Sequence, residues 1–277
     1  RGLVRLLSCP APAAVVHSLA TLAALGRDDE GAAGLFGPDT VMHALGLVLS
    51  LVEDGAEAAL VEAAARVAQG LDQRGVEKRV DGLVEDLLGA VSRHRSHVEI
   101  CAPLVSTLLS LCSGACFGTA VEILAAKRNV HRLLVLVELA SSAHPGLARA
   151  AAGVVRTVFM ACPNAVQNWS AGEVQRATLV LQAGAGLIEN APVPSDACRL
   201  QSSRLLATAC SVSTGFCEAT ARTAPVKHLL ACAKRSGGAL GCALLVLTLQ
   251  IARQSEWLHA QVGLQLVGST HVAELVA

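Results

Sequence analysis

The best candidates for metal ligands in this sequence lie between His94 and Cys116. His94, His97, Cys101, Cys112 and Cys116 carry the nitrogen and sulfur donors that zinc prefers. Zinc modules, however, use closely spaced Cys pairs in small, loop-rich units, whereas Cys101 and Cys112 belong to one apolar, helix-like stretch, HVEICAPLVSTLLSLC. We therefore interpret these cysteines as buried core residues and the two histidines as part of a polar turn. We expect no metal and no other cofactor.

No other spacing of nucleophiles, bases or glycines singles out a reaction. The run Ala183-Gly184-Ala185-Gly186 lacks the preceding strand, the third Gly and the Lys of a phosphate-binding loop. The Gly-x-Ser-x-Gly pattern of a nucleophile elbow does not occur. We expect the protein not to be an enzyme. An enzyme built on a helical scaffold remains a weaker alternative, which stoichiometric zinc would favour.

Charge and composition restrict the class of protein further. Lys plus Arg is 22 and Asp plus Glu is 22, and this balance argues against a nucleic-acid binder. The chain is 53% hydrophobic but only 2% aromatic, so its apolar content is mostly Ala, Leu and Val, which favours closely packed helices. Ten Cys spread through apolar text, with no visible signal peptide, favour a reducing intracellular compartment, with the cytoplasm preferred.

The most apolar window, residues 237–252, is the best candidate for a membrane-spanning helix. It is shorter than the roughly 18 to 20 residues that a span requires, and it contains Thr248 and Gln250. We expect a fully buried core helix here and no membrane span.

A second isolated feature is Trp169, a rare aromatic on a polar stretch. It either caps the core or anchors a partner, and we favour the core.

Three kinds of phrase recur along the chain with a period near forty residues. The first carries a Leu/Val stripe at helical spacing, as in GLVRLLS (2–8), DGLVEDLLGAVS (81–92) and VHRLLVLVELASS (130–142). The second is longer and rich in Ala and Gly, and it occupies 13–26, 58–71, 97–112, 146–162, 197–212 and 240–252. The third is short and polar and leads to the next unit, as in TAVEILAAKRN (119–129). Short, middle and long helices repeated at this period predict a helical solenoid.

GLVRLLS followed by AAVVHSLATLA resembles an armadillo repeat. The resemblance covers nearly the whole chain as about six units, with the two-helix HEAT repeat as the nearest alternative. It implies an all-α, right-handed solenoid in which the long third helices, here the Ala-rich phrases, line a concave groove. We expect one repeat domain over 1–277, a fragment of a longer solenoid, with repeats at 1–38, 39–80, 81–128, 129–173, 174–225, 226–269 and a further start at 270–277.

Members of that family bind partner proteins or extended peptides and are usually not enzymes. Its nuclear-import receptors present Trp and Asn four residues apart on successive third helices, and the corresponding phrases here contain neither. Import-signal recognition is therefore not carried over. The polar residues of the Ala-rich phrases remain as candidate partner-binding positions, and they are His17, Thr21, Glu62, Arg66, Arg149, Arg156, Arg204 and Thr208. The arginines among them would suit an acidic segment.

The first functional hypothesis is a non-catalytic scaffold, a structural subunit of a larger intracellular assembly with a cytoskeletal or ciliary context as one setting. Solenoid ends without polar caps expose apolar surface, which supports a place in an assembly. The alternative is a reversible adaptor for cargo or peptides, of the transport or chaperone type, that binds in the groove. Both hypotheses expect protein partners rather than nucleic acid or a membrane.

Overall fold

Helices account for the secondary structure of the part of this chain that the structure describes. The computed structural model describes residues 80–114, 116–188 and 194–254, together with Ala14, His17, Ser18 and Thr21. These residues contain eleven complete α-helices and no β-strand. The prediction of an all-α fold is confirmed for these residues. The chain divides into two units, Arg1–Val135 and Leu136–Ala277.

The described part of the first unit contains three complete helices that pack through leucines. They are α1 (Val80–Arg93), α2 (Val98–Leu111) and α3 (Phe117–Ala125), and a short 3-10 turn at Lys127–Asn129 follows them. Helix α1 packs against both α2 and α3. Apolar residues recur at helical spacing in each helix, and Leu87, Leu88, Leu108 and Leu124 are almost completely buried.

The second unit repeats a sequence of a medium helix, a 17-residue helix and a shorter one. The division between the units falls within the first of these helices, α4. The helices described from Val130 to Gln254 are α4 (Val130–Ala140), α5 (Pro145–Ala161), α6 (Pro163–Gln167), α7 (Ala171–Ala185), α8 (Asp196–Val212), α9 (Thr214–Thr223), α10 (Val226–Ser236) and α11 (Gly238–Gln254).

Local signals fix where α5 begins and where α7 begins and ends. Pro145 occupies the first turn of α5, and His144 Nδ1 accepts a hydrogen bond from the Leu147 N–H at 3.2 Å. Helix α7 begins with a reciprocal capping box, in which Ser170 Oγ accepts from the Glu173 N–H and the Glu173 carboxylate accepts from the Ser170 N–H. Gly186 ends α7 with a φ of 69°, a conformation that favours glycine.

The 17-residue helix α8 lies at the centre of the second unit. It packs against α5, α7, α9 and α11. Small residues make this arrangement possible, because Ala151 of α5 and Ala209 of α8 are fully buried and allow neighbouring helices to approach closely. As a consequence, the three 17-residue helices α5, α8 and α11 follow one another across the unit, with α8 in contact with both others.

An aromatic cluster joins the end of α6 to α5 and α9. The ring of Phe159 lies edge-on to Trp169 with centroids 5.6 Å apart, and Phe216 lies within 6.0 Å of both rings. Trp169 is only 7% exposed. Its interpretation as a core residue is therefore confirmed.

Helix α11 corrects one expectation from the sequence. The prediction of a fully buried helix over the window 237–252 is wrong, because Val246 is 47% exposed and Leu249 is 53% exposed. The opposite positions, Leu244, Leu247 and Ile251, are completely buried. The helix is therefore buried on one side only. Its solvent-facing side is mainly apolar, so the sequence does not show which side is buried. No helix in the described ranges is long and apolar enough to cross a membrane.

Candidate functional site

The His/Cys segment does not form a metal centre in the described part of the chain. Cys101 is buried within α2, and Cys112 is buried at its C-terminal end. The Cys101 thiol donates to the His94 carbonyl at 3.1 Å. His97 is exposed at the start of α2, with Nδ1 3.6 Å from the Glu99 carboxylate. Among the described residues no three His, Cys, Asp or Glu side chains are grouped so that they could hold a metal ion.

The candidate binding positions fall into three sets. His17 and Thr21 lie one turn apart on a helix and are both exposed, and Thr21 Oγ1 donates to the His17 carbonyl at 2.7 Å. Glu62 and Arg66 lie outside the described residues. The remaining positions, Arg149, Arg156, Arg204 and Thr208, lie on the 17-residue helices of the second unit. Their binding role stays a prediction.

A groove brings three of these predicted residues together. It crosses α5, α8 and α11 and has a volume of about 430 Å³. Helix α5 contributes Arg156, α8 contributes Arg204 and Thr208, and α11 contributes Cys242 and Val246. This arrangement follows from the exposed stripe of each helix. On α5 the exposed positions 149, 156 and 160 repeat at helical spacing, as do 242, 246, 249 and 253 on α11. Arg149 lies two turns before Arg156 on the same side of α5, outside the residues that line the groove.

Helix α11 supplies most of the groove residues that the sequence did not predict, and α8 adds Ala207 and Ser211. Cys242, Val246 and Gln250 follow one another at four-residue steps and all line the groove. Of the cysteines that the structure describes, only Cys242 is exposed. The candidate positions predicted from the sequence are polar residues of the Ala-rich phrases, whereas the exposed stripe of α11 is mainly apolar. The four-residue spacing was the available signal, and it becomes informative only when the buried side of the helix is known.

Exposed arginines lie on each of the three helices that form the groove. Arg149 and Arg156 on α5, Arg204 on α8 and Arg253 on α11 are exposed and have no carboxylate partner among the described residues. Neither α5 nor α11 contains an acidic residue, and Asp196 is the one acidic residue of α8. Asp196 lies in the first turn of α8 and pairs with Arg199 at 3.2 Å.

The other carboxylates described in the second unit are paired away from this face. Glu138 forms an ion pair with Arg176 at 2.5 Å, and Glu173 belongs to the capping box of α7. Glu218 lies 3.5 Å from Arg222, one turn along α9. Because these acids have partners elsewhere, no described carboxylate of the unit neutralises the groove arginines.

A second cavity of about 720 Å³ lies where α8 and α11 begin. Arg199 and Arg235 line it, but the Arg199 guanidinium already donates to Asp196 at 3.2 Å and to Ser236 Oγ at 3.1 Å. Arg235 donates to Cys232 Sγ at 3.2 Å. Both guanidinium groups of this cavity therefore already donate hydrogen bonds within the protein, whereas among the described residues Arg156 and Arg204 of the groove do not.

Comparison with known proteins gives a likeness of fold. No family model matches this sequence, and no curated protein matches it. Among solved structures it is similar to an engineered protein at 17% identity with a TM-score of 0.65, over 92% of this chain and 96% of that one. A second engineered protein is similar at 15% identity with a TM-score of 0.60, over 90% of this chain and 97% of that one. At such low identity the likeness shows the fold alone.

Proposed function

We propose that this chain is a non-catalytic protein-binding domain that holds an acidic segment of another protein across α5, α8 and α11. The observation that carries the proposal is the set of exposed arginines on these helices, for which the described part of the unit provides no carboxylate partner. Exposed charges that face a common groove steer an oppositely charged partner and determine which partners bind.

The proposed fold for this function is an armadillo-type α-solenoid. Two features support it, namely the recurring order of medium, long and short helices in the second unit and the presence of three 17-residue helices in series. In such a solenoid each repeat packs on its neighbours, and the repeated long helices provide an extended binding surface.

Exposure of the arginines favours a reversible adaptor over a permanent structural subunit. Contacts between exposed charges are weakened by salt, because the Debye length falls from about 10 Å at 0.1 M to about 3 Å at 1 M ionic strength. A permanent subunit would instead depend on a larger apolar interface. Salt dependence of binding therefore separates the two versions of the proposal.

The test is affinity purification of the full-length protein from its own cells with the groove charges reversed. We expect R156E/R204E to lose a stoichiometric partner that wild type retains at 0.1 M salt and releases at 0.5 M. The matched control is R222E/K227E, which reverses two exposed basic residues on α9 and α10, outside the groove. A partner retained by both variants, or lost from both, would overturn the groove as the binding site. A partner that depends on the groove but survives high salt would indicate the structural subunit.

A further inference from the structure

The part of the groove between α8 and α11 is an apolar recess beside the two arginines. Ala207 of α8 and Ala243 of α11 line it and are buried, so the side chains at its base are small. Cys242 and Val246 line it from exposed positions on α11, and Val246 keeps almost half of its surface accessible. The recess therefore has apolar sides, small side chains at its base and an opening to solvent.

Polar atoms at the edge of the recess can bind a main chain. Thr208 Oγ1 donates to the Arg204 carbonyl at 3.0 Å, and Ser211 Oγ donates to the Thr208 carbonyl at 2.7 Å. Since the Thr208 hydroxyl proton points to its own helix, the Thr208 oxygen is left as an acceptor for an N–H group of a bound segment. Gln250 contributes an amide to the same groove from α11.

The combination of charge and apolar surface selects one kind of occupant. A purely acidic segment would satisfy Arg156 and Arg204 but would leave the apolar recess in contact with water. A second copy of this chain would bring a second set of four exposed arginines against the first if the same face met itself, and like charges would repel. A segment with both carboxylates and an aliphatic side chain matches both parts of the groove.

We propose that the recess between α8 and α11 takes an aliphatic side chain of the bound segment, while adjacent carboxylates of that segment bind Arg156 and Arg204. This inference rests on the proposed function and specifies the chemistry of its partner. The recess is the specificity pocket, since it distinguishes one acidic segment from another, and the arginines supply the charge-dependent part of the affinity.

The first experiment measures the fluorescence anisotropy of three labelled nine-residue peptides with the purified full chain. One peptide is acidic with a central Leu, one is acidic with a central Ser, and one has Lys in place of each acidic residue and a central Leu. We expect the acidic Leu peptide to bind about 10-fold or more tightly than the acidic Ser peptide, because burial of the aliphatic side chain contributes to only one of them. The Lys peptide should not bind.

Two variants separate the pocket from the charges. C242W should fill the recess from an exposed position. We therefore expect this variant to bind both acidic peptides with the same affinity, equal to the affinity of wild type for the acidic Ser peptide. R156E/R204E should lose both acidic peptides. The matched control is L249A, which changes an exposed apolar residue of α11 that does not line the groove and should keep the preference for Leu.

Alkylation of Cys242 provides a readout of where the peptide lies. N-ethylmaleimide should modify the exposed Cys242 thiol more slowly in the presence of the acidic Leu peptide. The rate of modification should fall in proportion to the fraction of protein that has peptide bound. Modification of Cys162, which is partly exposed at the end of α5 and outside the groove, should not change. Protection of both thiols, or of neither, would place the peptide elsewhere and overturn the proposal.

The outcomes distinguish this inference from the function on which it rests. Equal binding of the two acidic peptides, with both lost in R156E/R204E, would overturn the aliphatic pocket and leave the acidic groove in place. Failure of the acidic Leu peptide to bind wild type would overturn the pocket as well. Failure of the charge reversal to release the cellular partner would overturn the proposed function itself, whatever the peptides do.

Discussion

Ser141 and Ser202 meet with their Oγ atoms 3.2 Å apart, although 61 residues separate them in the sequence. Ser141 directly follows α4, Ser202 lies on α8, and Gly184 of α7 lies against both side chains. A Cβ atom at position 184 would lie 2.8 Å from Ser141 Cβ and still closer to both Oγ atoms. The three segments can therefore approach this closely only because residue 184 has no side chain.

Substitution of Gly184 by Ala should destabilise the protein. The added methyl group must displace Ser141 and Ser202, which disrupts their hydrogen bond and shifts the packing of α7 against α8. We expect a loss of about 1–3 kcal/mol in the free energy of unfolding, as is usual for overpacking at a tight site. Urea unfolding followed by circular dichroism measures it.

Gly172, on the same helix, provides the matched control. A Cβ atom at this position would have no atom within 4 Å. Gly172→Ala should therefore leave stability unchanged or raise it by up to about 1 kcal/mol, because Ala has the higher helix propensity. Equal effects of the two substitutions would show that helix propensity, rather than the contact with the two serines, determines the response at position 184.

The aromatic cluster should contribute strongly to stability. Phe159 is completely buried against Trp169 and Phe216, so Phe159→Ala leaves a cavity and should lower the free energy of unfolding by about 3–5 kcal/mol. The same substitution at Phe117, which is 43% exposed on α3, should change it by only about 0.5 kcal/mol. Urea unfolding compares the two variants. A similar loss at both positions would contradict the assignment of Phe159 to the core.

The N-terminal cap of α7 gives a third prediction. Ser170→Ala removes the side-chain oxygen that accepts from the Glu173 N–H and should lower the free energy of unfolding by about 1 kcal/mol. Ser170→Thr keeps the hydroxyl and should recover most of this loss. Thermal unfolding of the two variants and wild type tests the cap, and an unchanged midpoint in Ser170→Ala would show that α7 does not depend on it.

Most of the helices could be predicted from the sequence because periodicity alone identifies a helix that has one apolar and one polar side. The Ala-rich phrases 146–162 and 197–212 contain almost the whole of α5 and α8. Arg156, Arg204 and Thr208 could be selected because each is a polar residue in such a phrase. Periodicity works at these positions since burial and polarity change together along the helix.

Helix α11 shows where this kind of prediction fails. Its exposed stripe contains Cys242, Val246 and Leu249, which have the same apolar character as its buried side. A polarity pattern contains no information about which side of such a helix is buried, because burial is decided by contacts with α8 and α10. The apolar half of the groove could therefore be recognised only in the three-dimensional structure.

The buried thiols of α2 give the last prediction, which concerns pH. Burial raises the pKa of Cys112 from its ordinary value of 9.0 to about 12. Burial and, to a smaller extent, the negative charge of Glu99 raise the pKa of Cys101 to about 11. Above pH 9 these thiols lose protons in the unfolded chain while they keep them in the folded one. The unfolded state then binds fewer protons, so the free energy of unfolding should fall as the pH rises from 9 towards 12.

Two measurements test this dependence. Iodoacetamide at pH 9, with modified sites identified by mass spectrometry, should label the exposed Cys242 in the folded protein and should label Cys112 only after urea is added. In urea unfolding at pH 8 and pH 10.5, Cys112→Ala should be less stable than wild type at both values but should lose less stability between them. If Cys112 reacted as fast as Cys242 in the folded protein, its thiol would be accessible and its raised pKa would be ruled out.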